Sequence, residues 1–177
     1  VCTPNADARR AAKLVPLDAL SGESLAVDFY NTAFTILNYL LGRTLFKATD
    51  GLIRDAGALH GRLGKEDRLE RVLPPIMETL VAGGPREVAF YLDAPISHSG
   101  DHARTLEHAC REHGIRATAE VVQSADYPLK ERRPGLIATG DSAIIDATNR
   151  PVLDLAGQTL LGAFDFNPLD LSELLTE

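Results

Sequence analysis

The chain has 177 residues, with 18 Lys and Arg against 25 Asp and Glu, a formal net charge of −7 and 45% hydrophobic residues. That length fits one domain whose core forms without disulfides, and the acid excess argues against a protein that coats nucleic acid through bulk positive charge. No run reaches the roughly 20 apolar residues that span a bilayer, Cys2 and Cys110 are too few for a disulfide framework or a thiolate metal site, and without a secretory pattern the expected location is cytoplasmic.

Residues 1–23 are polar and are expected to form a peripheral N-terminal arm to a single α/β domain spanning 24–177. Residues 24–28 are a short apolar run ending in Asp28, and 31–41 followed by Gly42 read as a helix with a glycine stop, together a βα unit. Residues 44–60 hold the Asp50-Gly51 turn signal and, with Gly61 and Gly64, repeated glycine breaks, so an irregular insertion is expected. Over 66–82, Leu69, Val72, Leu73, Ile76, Met77 and Leu80 form a helical stripe that Pro74-Pro75 should kink or split.

Residues 87–93 read as a strand ending in Asp93, and 99–113 as a helix closed by Gly114 with Ser99 as its N-cap. A third strand over 117–122 leads to Asp126. A fourth over 135–140 leads to Asp141 and a short helix through Ala147, and a fifth covers 151–154. From Ala156 onward the chain reads as a turn and a short C-terminal helix. Strands alternating with helices imply a three-layer α/β fold: a mainly parallel sheet of about five strands, helices on both faces and right-handed crossovers.

Asp28, Asp93, Asp126 and Asp141 each follow an apolar run within a few residues. Ligands of open parallel sheets bind beyond the carboxyl ends of the strands, so acids placed there converge although distant in sequence. Like charges at close range raise one another's pKa, and Mg²⁺ or Mn²⁺, held by one or two carboxylates and several waters, is a common remedy. The competing reading is that each Asp ends its strand or caps the next helix.

These residues carry a resemblance. Asp28-Phe29-Tyr30-Asn31 resembles the Asp-x-x-Asn opening of the PIN-like nuclease superfamily, especially its NYN branch, and Thr139-Gly140-Asp141-Ser142 its later Thr/Ser-x-Asp-Ser segment. With Asp50–Asp55 and the segment from Leu92 to Gly100, the pattern resembles a prokaryotic PIN-like family of unknown function over about residues 24–155. The resemblance implies a PIN-like fold and metal-dependent hydrolysis of RNA, with Asp28, Asp93, Asp126 and Asp141 around the metal and Asn31 as their polar neighbour. NYN proteins often carry an acid two residues beyond the late-strand Asp, where this chain has Ala143. The alternative is therefore a non-catalytic PIN-like module that binds nucleic acid, nucleotide or protein in the same cleft.

Several further residues are candidates for contacts to substrate. Arg54 could meet a phosphate or pair with Asp50 or Asp55. Ser97 and Ser99, ahead of a helix, could receive a phosphate or simply cap. His98 and His102, four apart, could share a transition metal, although His98 precedes the helix and no His-Glu-x-x-His pattern is present. Arg9, Arg10 and Lys13, and Lys130, Arg132 and Arg133, could touch a phosphate backbone or be solvated loop charge. Phe29-Tyr30 could stack a base or fill the sheet–helix interface. The expected partner is RNA, with a homo-oligomer possible and no membrane. Walker and Gly-x-Gly-x-x-Gly motifs are absent.

Overall fold

The structure, a computed structural model, describes residues 4–55, 66–131 and 133–171; Cys2, Arg132, Gly61, Gly64 and the chain from 172 onward lie outside them. In chain order the elements are α1 (Pro4–Ala11), β1 (Leu14–Val15), a 3-10 turn (Leu17–Leu20), β2 (Ser24–Asp28), α2 (Phe29–Leu40), β3 (Leu45–Lys47), β4 (Ile53–Asp55), α3 (Glu66–Gly83) and β5 (Glu87–Asp93). There follow α4 (Ser99–Glu112), β6 (Ala117–Val122), α5 (Asp126–Lys130), β7 (Leu136–Ala138), α6 (Ser142–Ala147), β8 (Val152–Leu153), α7 (Leu155–Ala163) and β9 (Leu169–Asp170).

Six strands form one sheet in the order β1-β8-β7-β2-β5-β6, every pair parallel. β2 is central, with Leu25, Ala26, Val27 and Asp28 buried, as a strand covered on both faces must be. Its Leu25 and Val27, with Val88, Phe90 and Leu92 of β5, pack against Ile36 of α2, Ile76 and Leu80 of α3, Leu106 of α4 and Leu160 of α7. On the opposite face Ala26, Tyr91 and Ile137 meet Leu129 of α5 and Ile144 and Ile145 of α6. The fold is thus a three-layer α/β arrangement. From β2 the chain builds outward through β5 and β6, then returns to the other side of β2 with β7 and β8. The switch point therefore lies between the ends of β2 and β7, and those strands end at Asp28 and just before Asp141.

Four elements differ from expectation, each for a local reason. The segment before Ser24 is integral: β1 adds a sixth strand beside β8, Leu20 is fully buried, and α1 packs on α6. α3 is not split at Pro74-Pro75. Its whole stripe from Leu69 to Leu80 is buried, which outweighs two missing backbone bonds, and the Thr79 hydroxyl donates to the Pro75 carbonyl at 2.8 Å. The stretch expected to be irregular contains a hairpin, β3 antiparallel to β4, turning where Gly51 takes φ +88°; residues 56–65 are outside the described set. Finally α7 starts directly after β8, with the Asp154 side chain capping Gly157 N–H, and β9 then pairs parallel with β3 to complete a small second sheet.

Candidate functional site at the strand ends

Asp28 is the last residue of β2 and the N-cap of α2. Its Oδ1 accepts from Asn31 N–H at 3.4 Å and its Oδ2 from the Thr139 hydroxyl at 3.0 Å. Thr139 in turn accepts from Asp141 N–H at 3.1 Å, and Asn31 Oδ1 accepts from Gly140 N–H at 2.6 Å. The ends of β2 and β7 are thereby tied side chain to backbone. A Cβ at Gly140 would stand 3.1 Å from Asn31 Oδ1, so this bond depends on a small residue there. Asp141 caps α6, its Oδ1 accepting from Ala143 N–H at 2.7 Å. Asp93, at the end of β5, accepts from Ala125 N–H at 2.9 Å.

The electrostatics single out Asp28. Burial pushes its carboxyl up to about 7, against the two hydrogen bonds, and the charges of Asp93 and Asp141 push it further. These three aspartates therefore share one environment. Each of Asp93 and Asp141 uses one carboxylate oxygen as a cap and keeps a second with no hydrogen bond among the described residues.

Asp126 does not join them. It opens α5 instead of ending β6, and its carboxylate pairs with Lys130 one turn on, at 2.6 Å. Among the described residues no group of three or more His, Cys, Asp or Glu side chains is arranged to hold a metal ion. What is present is an incomplete set of hard oxygen donors, suited to a cation that keeps most of its waters.

Around this centre the remaining candidates separate. Arg54 makes a two-pronged pair with buried Asp50, both bonds 2.7 Å, and its Nη2 also donates to the Ser142 hydroxyl at 3.1 Å, beside Asp141. Ser97 is exposed, while Ser99 is the first residue inside α4 and not its cap. The cap position belongs to His98, held at φ +66° with no side-chain cap bond. The His98 ring lies 3.5 Å from Asp101 in an exposed pair. His102 is buried, its Nδ1 2.9 Å from the Tyr30 hydroxyl. Burial lowers the His102 pKa and raises that of Tyr30, with Asp93 adding to the latter, so the pair is favoured in its uncharged form, and which group donates is set by the imidazole tautomer. The two histidines are therefore not a ready metal pair.

Phe29 is fully buried edge-on to Phe90, and Tyr30 stacks on Phe34, so both fill the interface. Arg10 and Lys13 bind Asp146 and the carbonyls of Ile145 and Thr148. Lys130 and Arg133 pair with Asp126 and Glu131. Thr139 is the residue whose role sequence reasoning missed. Its signal was its place in the Thr139-Gly140-Asp141 segment.

A family profile described as a domain of unknown function (DUF5616) matches residues 17–158. An uncharacterized protein of Methanocaldococcus jannaschii is 26% identical over 149 residues, covering 84% of this chain and 70% of that protein. No solved structure matches. Among the described residues no helix is long and apolar enough to cross a membrane.

Proposed function

The chain belongs to the DUF5616 family, and from the geometry of its strand ends we propose that it is a divalent-metal-dependent ribonuclease of PIN-like type. One observation carries the reading: at the topological switch point a buried carboxyl, Asp28, is held up to about 7 by burial and by two neighbouring carboxylates. Three carboxylates in one environment at the carboxyl ends of a parallel sheet, two of them with an oxygen that makes no hydrogen bond among the described residues, favour Mg²⁺ or Mn²⁺. Asp28, Asp141 and Asp93 would hold the ion, directly or through water. A bound divalent cation lowers the pKa of a water and stabilises charge developing on a phosphodiester.

The chain's own groups do the rest. Thr139 favours the ionised form of Asp28 by hydrogen bonding to it. Asn31 fixes the Gly140 backbone and so the direction in which β7 delivers Asp141. Asp126 and Arg54, each already paired, are placed outside the ion's immediate shell.

The test is a calorimetric Mn²⁺ titration of the wild type against Asp28→Asn plus Asp141→Asn, followed by an RNA-cleavage screen in Mg²⁺ and Mn²⁺. The expected result is binding and cleavage in the wild type, both lost in a folded double variant. Cleavage unchanged in the variant would overturn the proposal. Metal or RNA binding with no turnover across ions would favour the non-catalytic module, the reading that Ala143 and the absence of a three-donor group among the described residues support.

A further inference from the structure

At the opposite end of the sheet the charge reverses. Arg86 directly precedes β5 and Arg116 directly precedes β6, while Arg133 stands three residues before β7 and Arg150 two before β8. All four line one cavity of about 340 Å³, on the face of the sheet that carries Ala26, Ala89 and Thr118. In a chain of net charge −7, the acid in that lining is Glu87, already engaged by the Ser24 hydroxyl at 2.8 Å and Arg86 at 3.5 Å.

Arg150 supplies the second observation. It is 9% exposed, its Nε donates to the Gly135 carbonyl at 3.1 Å and its Nη2 to those of Leu136 and Pro134 at 2.9 and 3.4 Å, and its Nη1 is buried with no hydrogen-bond partner among the described residues. Burial weakens its hold on its proton; Tyr91 opposes that and Arg133 adds to it. Arg150 is thus a fixed, desolvated guanidinium with an unused donor, beside a second guanidinium, Arg133, that is paired with Glu131 at 2.6 Å.

Ala26, Ala89, Tyr91, Pro128 and Pro134 give the cavity an apolar floor and walls. We propose that this cavity binds a small organic phosphate of mononucleotide size, its phosphate held by the arginines and its uncharged body on the apolar floor. Guanidiniums lining one cavity from the segments before four strands match the several oxygens of a phosphate better than one carboxylate. The volume lies at the lower end of small-molecule pockets, roughly 300–1,000 Å³, which takes one such unit and not a strand.

The site is independent of the aspartates, which lie at the opposite, carboxyl ends of the sheet's strands, so its test uses binding in metal-free buffer. AMP, UMP, adenosine and inorganic phosphate are titrated by calorimetry into the wild type, Arg116→Ala plus Arg133→Ala, and Asp28→Asn plus Asp141→Asn. Arg150 is left in place because it also holds the backbone before β7. The expected result is that AMP or UMP binds, at least tenfold more tightly than adenosine or inorganic phosphate. Affinity should fall at least tenfold in the arginine variant and stay within twofold in the aspartate variant. Absence of nucleotide binding, binding unchanged in a folded arginine variant, or inorganic phosphate binding as tightly as the nucleotides would overturn it.

Discussion

Asp28 holds a carboxyl in a place where ionisation is expensive. Its pKa stands at about 7 against 3.8 in the unfolded chain, chiefly because burial strips it of water. The folded state thus keeps a proton that the unfolded state gives up, so its contribution to stability is largest below about pH 4. It falls as pH rises and levels off above about 7, at roughly 1.4 kcal/mol per pH unit between those limits. Asp28→Asn keeps the shape and removes the titration. In metal-free buffer the variant should gain stability over the wild type progressively from pH 4 to 7 and hold that gain above it, measured by urea unfolding at a series of pH values. A gap between the two proteins that does not change with pH would refute the account. Asp126 shows the opposite case: its partner Lys130 is four residues on, a spacing readable in the sequence as a helical ion pair and a reason to set it apart from the other acids.

The hairpin β3–β4 depends on Asp50, which is 1% exposed. It accepts twice from Arg54, once from Leu52 N–H at 3.3 Å, and lies 3.8 Å from Arg10. Removing that carboxylate takes from Arg54 both of its charged bonds, leaving it the Ser142 hydroxyl, while Arg10 keeps Asp146. Asp50→Ala should therefore lose about 3–5 kcal/mol, and Asp50→Asn, which keeps an acceptor, less. Chemical denaturation of both variants measures this, and equal losses would show that the charge rather than the acceptor matters. The same elements show what sequence can reveal. β2, β5, β6 and the stripe of α3 are long enough for apolar runs or a helical period to declare them. β1, β3, β4 and β9 have two or three residues each, too few for any period, and exist because a neighbouring strand or turn supplies their partners. The strand-end aspartates were legible because each closes an apolar run; Thr139 was not legible as their hydrogen-bonding link, since nothing local distinguishes a buried hydroxyl from a solvated one.

Across the whole molecule, the sheet has carboxylates at one end of its strands and arginines at the other. The arginines were in plain view, but charge in loops is usually solvated, and only the shared cavity and the Nη1 of Arg150, buried with no hydrogen-bond partner among the described residues, give these a different reading. The extent of the domain is also a property of the whole. Residues 4–20 tie into three separate parts of it. Val152 N–H donates to the Lys13 carbonyl at 2.8 Å beside β1, and Lys13 Nζ reaches the carbonyls of Ile145 and Thr148 at 2.5 and 2.7 Å. Arg10 holds Asp146, and Leu20 packs close to Gly83, where an added Cβ would stand 2.9 Å from it. Losing Leu20 alone resembles a large-to-small core change of about 2–5 kcal/mol, and removing β1 exposes β8 as a new edge. Domains of this kind have about 5–15 kcal/mol in all. A chain starting at Ser21 should therefore unfold at a much lower temperature than the longer one, or aggregate, as followed by circular dichroism and size-exclusion chromatography. An unchanged melting temperature would mean that these contacts are peripheral after all and that the fold is complete from β2 onward.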